Sequence, residues 1–314
     1  MSCSFCYADC TSVSYPTSLT RCTLCNRATY CTEECKRLHW EQGHKEWCSI
    51  PHGVEGPDWE VVLISPEKGN GVIAKRPFAK DERIMAERVY SAEEISTRPC
   101  IMREMKKLAP SRSDDPSIKF KINSIGSCDD RGSFGGICVR MSRINHACDP
   151  NAVTYYDDET RWMVLHAARP IAAGEEVTIS YTEFMDPTCI GDRSQRANHA
   201  SNLWYQYGIV CPDGCACKSG AALARLMRSR ELEATMLRLA GETDDEMAVI
   251  DAGMERVRFH NNIDSPLRVR FRVRLQLFRQ AGAMGIRLQG LKLHELACSL
   301  TRPGSADAQR YLGC

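Results

Sequence analysis

The chain has 314 residues, with 41 Lys and Arg against 40 Asp and Glu and a formal charge of +1. So even a balance argues against a general nucleic-acid or membrane-surface binder, which would carry a marked basic excess. The length leaves room for two or three domains, no run of 18 apolar residues appears, and Met1-Ser2-Cys3 opens no export signal; the expectation is a soluble, monomeric protein of the nucleus or cytoplasm.

Cysteine is the outlier: 18 in all, eight of them within the first 48 residues. Without an export signal, metal ligation explains them better than a disulfide framework. The ligand candidates run Cys3-x2-Cys6, Cys22-x2-Cys25, Cys31-x3-Cys35 and His44-x3-Cys48. Four such pairs suit two tetrahedral zinc sites, because one turn or one helical face can present both members of a pair to a single ion. A segment of fifty residues with few aliphatics would fold poorly without the metal. Cys10 is a rival for Cys3 or Cys6, and His39 and His52 are rivals for the imidazole position.

This spacing, with Tyr30-Cys31, Trp40 and His44-Lys45, resembles the MYND zinc finger. The resemblance implies interleaved sites, one of Cys3, Cys6, Cys31 and Cys35 and one of Cys22, Cys25, His44 and Cys48. It also implies a partner-binding surface for proline-containing peptides. Trp40 would wall that groove or, equally, cover the second zinc. Lys36 stands where many such grooves carry glutamine, so peptide preference does not transfer.

Residues 51–57 read as a linker. Residues 59–64 have strand composition, Lys68-Gly69-Asn70-Gly71 reads as a tight turn, and Val72-Ile73-Ala74 reads as a second strand. Residues 93–108 have helical spacing, 109–116 read as a polar loop, and 120–125 follow. The densest stretch is Ser142-Arg143-Ile144-Asn145-His146-Ala147-Cys148-Asp149-Pro150-Asn151. A hairpin of 152–156 and 162–166 comes next, then a strand of 177–181 ending on Tyr181. Residues 193–207 read as a helix. Cys211-x3-Cys215-x-Cys217 supplies three thiolates, one short of a closed zinc site. Helices are expected at 221–240 and 246–259. Residues 267–280 alternate like a strand, but Ser265-Pro266 starts a helix, so helix is the reading, with its four arginines on a solvated face.

Taken together, the glycine turn, Arg-Ile-Asn-His-Ala-Cys-Asp-Pro-Asn and the strand ending on Tyr181 resemble the SET domain of protein lysine methyltransferases. The resemblance implies an α+β chain: a β-rich SET fold of small sheets with a pseudoknot, an N-terminal MYND finger, a post-SET zinc segment and an α-helical C-terminal region. The expected boundaries are 1–50, 51–208, 209–220 and 221–314. In most SET-and-MYND enzymes the finger interrupts the SET domain, whereas here it precedes the whole of it. The resemblance implies S-adenosylmethionine as cofactor, held by Lys68, Gly69, Asn70, Asn123, Ser142, Asn145, His146, Tyr181, Tyr207 and Ile209. Tyr181 and Tyr207 would be catalytic, lining a channel for the lysine of a histone or non-histone protein. Ile209 falls where relatives carry a phenylalanine over the adenine. The fourth post-SET thiolate would be Cys148, giving three zinc ions in all and making one loop both cofactor contact and metal joint. Cys10, Cys100, Cys128, Cys138, Cys189, Cys298 and Cys314 remain as core or surface thiols. The competing expectation is a catalytically silent adaptor that recruits partners through the finger.

Overall fold

The computed structural model describes residues 3–7, 19–25, 28–48, 58–66, 68–108, 115–129, 132–157, 160–182, 203–215, 217, 220–242 and 245–262, together with 270, 273, 274, 276, 277, 280 and 281. In the finger, β1 (Thr20–Arg21) and β2 (Thr29–Tyr30) pair antiparallel and lead into α1 (Glu33–His39). Thr32 caps that helix by accepting from the Cys35 N–H, with Glu33 and Glu34 in the first turn and Lys36, Arg37 and His39 in the last. Charges so placed oppose the helix dipole at both ends. A π-helical turn, Trp40–His44, then joins α2 (Lys45–Cys48). The interior of the finger is Cys3, Cys22, Ala28, Tyr30, Cys31 and Cys48 rather than an aliphatic core, which is the composition of a segment folded around metal.

The next part of the chain builds small sheets. β3 (Trp59–Ser65) and β4 (Gly69–Ala74) form a hairpin, while β5 (Arg83–Arg88) joins a different sheet. Three helices follow: α3 (Ala92–Ser96), α4 (Pro99–Lys106) and α5 (Pro116–Asn123). They are succeeded by the hairpin of β6 (Ile125–Asp129) and β7 (Gly132–Gly136), the short β8 (Asn145–His146), β9 (Ala152–Asp157), β10 (Trp162–Ala167) and β11 (Glu176–Ile179). One sheet has the order β3-β4-β11-β8 and another β5-β10-β9. β10 is buried along its whole length, and the core between the sheets holds Val72, Phe78, Ile84, Met141, Ile144, Met163, Leu165, Val177 and Ile179. Two long helices, α6 (Gly220–Glu242) and α7 (Glu246–Asn262), pack on each other beyond the sheets.

The α+β expectation holds, with local corrections. Residues 93–108 are not one helix. Ser91 and Glu94 form a capping box that starts α3, Arg98 is extended, and Pro99 opens α4, as a proline that restricts its predecessor and lacks an N–H should. Pro116 likewise starts α5 after the Asp115 cap instead of closing a loop. Gly69, Asn70 and Gly71 belong to β4, not to a turn, because β3 pairs with them through Leu63↔Asn70 and Val62↔Gly71. β11 stops at Ile179 because the Tyr181 N–H turns to the His146 imidazole instead of a ladder carbonyl. Of 193–207, residues 203–207 are described, and they form a π-helical turn. The described residues of 267–280 are helical. Their arginines are not a solvated face: Arg274 is buried and donates to Asn261 Oδ1 at 2.7 Å, and Arg270 pairs with Asp81. Residues 51–57, 109–114, 193–202, Cys10, His52, Cys189, Cys298 and Cys314 lie outside the described residues.

Candidate active site and metal centres

Three groups of ligand atoms converge, each within 4.8 Å of one another: Cys3, Cys6, Cys31 and Cys35; Cys22, Cys25, His44 and Cys48; and Cys148, Cys211, Cys215 and Cys217. Sulfur separations of 3.4 Å for Cys6–Cys31, 3.4 Å for Cys22–Cys48 and 3.5 Å for Cys148–Cys211 approach the roughly 3.8 Å edge of a tetrahedron with Zn–S bonds of about 2.3 Å. Soft donors in closed groups of four are zinc-type sites. The first two groups cross-brace the finger, since each takes one pair from either side of the other. His39 stays outside them: it stacks on His44 at 4.6 Å and its Nδ1 lies 3.0 Å from the Tyr30 hydroxyl. Burial keeps both His39 and His44 neutral, the form in which an imidazole can ligate.

The third group is joined to the dense stretch through His146. Its Nδ1 accepts from the Tyr181 N–H at 3.0 Å, and a backbone N–H can only donate, so the ring proton sits on Nε2. That Nε2 lies 3.2 Å from Cys148 Sγ, so His146 points its ring proton at the sulfur while fixing the backbone of Tyr181. β8 runs parallel to β11, with Thr178↔Asn145 and Ile179↔His146, and Ala147 N–H donates to Ile179 O at 3.0 Å. In a parallel ladder, bonds to one residue come from the two flanking its partner, so the backbone groups of His146 turn away from β11 toward the outer edge of the sheet.

Tyr181 is held at both ends, because its hydroxyl donates to Ile144 O at 2.7 Å. Its ring lies 4.8 Å from that of Tyr207 and 5.4 Å from the His146 ring. Burial pushes the Tyr181 phenol well up, with Tyr207 and Glu176 adding to it, and burial alone raises Tyr207; both are neutral phenols across the physiological range. Ile209, like Tyr181 and Tyr207, packs against the buried cluster of Cys148, Leu203 and Cys211.

The polar end of the site contains Glu176, which sequence reading missed. Glu176 accepts from Asn145 Nδ2 at 2.8 Å through one oxygen and from Lys68 Nζ at 3.3 Å through the other. A Cβ on Gly71 would meet Asn145 Nδ2 at 2.7 Å and Glu176 Oε1 at 2.9 Å, so this residue must be glycine for the pair to form. Asn123 closes α5 with its Nδ2 on Lys119 O, and its carbonyl accepts from the Ser142 hydroxyl at 2.8 Å, tying two of the expected contact residues together. Asn70 and Gly69 stand in β4 beside them. A signal for Glu176 existed: it opens the strand that leads to Tyr181.

On the finger's outer side, a cavity of about 330 Å³ is lined by Thr23, Leu24, Tyr30, Glu33, Lys36 and Trp40. Trp40 is 37% exposed and meets His44 edge-on at 6.0 Å, so one indole both walls the groove and shields a ligand of the second group.

Residues 69–182 match the SET domain family and residues 3–48 the MYND finger family. The chain is 27% identical over 219 residues to "N-lysine methyltransferase SMYD2" of Bos taurus, covering 62% of this chain and 47% of that one. It is 28% identical over 188 residues to "Histone-lysine N-methyltransferase SMYD3" of Mus musculus, covering 53% and 43%. With "Histone-lysine N-methyltransferase ASHR1" of Arabidopsis thaliana it shares 23% over 205 residues, covering 58% and 42%. The chain therefore spans about half the length of the curated relatives it matches. The chain thus joins a segment that matches the MYND finger to one that matches the SET domain, in that order.

Proposed function

We propose that the chain is a protein-lysine N-methyltransferase that uses S-adenosylmethionine and carries three zinc ions, two in the finger and one in the post-SET group. The observation that supports this most is the double clamp on Tyr181, whose hydroxyl is fixed by Ile144 O and whose ring faces Tyr207 at 4.8 Å. The donor set fits the cofactor. Lys68 and Glu176 offer one cation and one anion for its carboxylate and ammonium, and His146 turns its backbone to the sheet's outer edge. Asn145 and Ser142 hold that edge in place. Asn123, Gly69, Asn70 and Ile209 complete the wall on this reading.

Bound there, S-adenosylmethionine supplies an electrophilic methyl on a sulfonium. The chain's residues have to present a neutral amine in line with it. A free lysine titrates at about 10.4, and a narrow channel between two aromatic rings lowers that by disfavouring the ammonium. Because the Tyr181 proton is committed to Ile144 O, the phenol's lone pairs remain to accept from the amine N–H groups and, weakly, from methyl C–H groups. Alignment of amine and methyl then accounts for most of the acceleration. The substrate is a protein, with histones one class, and proline-containing peptides of partners would lie along Trp40 and Lys36. The boundaries 1–50, 51–208, 209–220 and 221–314 belong to the same proposal.

Incubation with labelled S-adenosylmethionine and a protein extract tests this reading. Protein labelling that falls away in Tyr181→Phe supports it. Labelling that persists unchanged in that variant would remove Tyr181 from the chemistry.

A further inference from the structure

Glu87 lies in β5, is not itself one of the candidate site residues, and is 4% exposed. Three donors converge on it. The Tyr7 hydroxyl reaches Oε1 at 3.0 Å, the Arg140 N–H reaches Oε2 at 3.0 Å and Oε1 at 3.1 Å, and the Met141 N–H reaches Oε2 at 3.0 Å. Arg140 and Met141 open the 3-10 turn Met141–Arg143, which delivers Ser142, Asn145 and His146 to the site. Tyr7, at the other end, directly follows Cys6. Its N–H donates to Cys3 O at 3.0 Å, and its φ of 56° is a left-handed geometry that a tyrosine adopts only when its surroundings impose it.

The same tyrosine is buried among Tyr90, Ile95, Ile101 and Met105, and the Arg140 guanidinium stands 5.2 Å from its ring centroid. A second fastening holds the finger in register: Trp162 Nε1 donates to Gln42 O at 3.0 Å, and Gly43, at φ 111°, leaves room for that indole. One buried carboxylate is thus shared between the first metal group's turn and the backbone that enters the cofactor segment. A buried acid keeps its place only while its donors keep theirs.

We propose that Glu87 is a positioning residue that transmits the geometry of the Cys3–Tyr7 turn to residues 140–146, so that the order of the first finger site sets the order of the cofactor segment. The naming of that segment rests on the function proposed above; the mechanical link does not.

The test uses the full chain loaded with zinc. Amide hydrogen exchange is followed by mass spectrometry, beside calorimetric binding of S-adenosylhomocysteine. Tyr7→Phe deletes one hydroxyl and leaves the ring. It is expected to speed exchange at 140–147 about tenfold, the upper end for an ordinary buried hydrogen bond, with β10 and the zinc content unchanged. S-adenosylhomocysteine should bind more weakly in about the same proportion. Glu87→Gln keeps an oxygen for the two backbone donors and offers its amide to the Tyr7 oxygen, so it should retain wild-type exchange at 140–147. Exchange there unchanged in Tyr7→Phe would overturn the proposal. Equal acceleration across all strands would also overturn it, since that is general loss of stability. If the wild-type chain binds no S-adenosylhomocysteine, the proposed function fails, while the exchange comparison still decides the link.

Discussion

Gly71→Ala probes the closest packing in the site. The added Cβ would stand 2.5 Å from Ile64 Cγ1, 2.7 Å from Asn145 Nδ2 and 2.9 Å from Glu176 Oε1. Ile64 can rotate away, but the other two atoms are the two ends of one 2.8 Å hydrogen bond. Overpacking costs about 1–3 kcal/mol, and breaking a hydrogen bond to a carboxylate about 1.5–3 kcal/mol. Alanine returns about 0.5–1 kcal/mol as the better strand residue. The balance is a loss near 3 kcal/mol, which lowers the melting temperature by roughly 6–12 °C for a domain of this size. Scanning calorimetry measures the shift. Binding of S-adenosylhomocysteine should weaken beyond what lost stability alone explains, because Asn145 would be pushed off Glu176. A melting temperature within 2 °C of wild type, roughly the least that 1 kcal/mol would produce, with affinity intact, would refute the coupling of Gly71, Asn145 and Glu176.

Cys148→Ser is expected to lose one zinc and to weaken cofactor binding together, read by metal analysis and calorimetry, because Cys148 Sγ is 3.2 Å from the imidazole that fixes Tyr181. Loss of neither would break the shared-joint reading. Glu233→Ala should destabilise the helical region by about 3–5 kcal/mol in a denaturant titration, since Arg256, 1% exposed, would lose the carboxylate 3.1 Å away. Trp40→Ala should weaken a proline-rich peptide by about 2 kcal/mol, close to thirtyfold, in a fluorescence titration. Glu94 sets a pH dependence: burial raises it, but the Ser91 N–H, Arg88 and Arg161 outweigh that and hold it below 4.5. Its contribution is therefore present above that value and lost as pH falls through the lower folded value, so Glu94→Gln should flatten the acid limb of the stability curve.

What could be read in the sequence was whatever local spacing determines. The four close pairs of the first 48 residues were legible as ligands because each lies within one turn, whereas their interleaving, and Cys148 as the partner of Cys211, Cys215 and Cys217 some 63 residues on, followed only from the family resemblance. The hairpin of β9 and β10 was legible from the polar turn Asp157-Asp158-Glu159 between two short runs. What escaped was set by contacts far along the chain. Glu87 becomes a three-donor acceptor only when Tyr7 and Arg140 meet it, 80 and 53 residues away. Trp162 reads as an ordinary strand tryptophan until the finger's Gln42 carbonyl, 120 residues earlier, arrives at its Nε1. The arginines after Pro266 looked solvated because neither Asp81 nor Asn261 stands near Arg270 or Arg274 in sequence.

The most direct test of the central claim is methyl transfer itself. Purified chain, labelled S-adenosylmethionine and a panel of histone and non-histone proteins, followed by mass spectrometry of the labelled peptides, should locate new methyl groups on lysine. The signal should be lost in Tyr181→Phe at unchanged zinc content. Binding of the cofactor with no lysine methylated across the panel, or transfer that ignores the loss of the Tyr181 hydroxyl, would contradict the account.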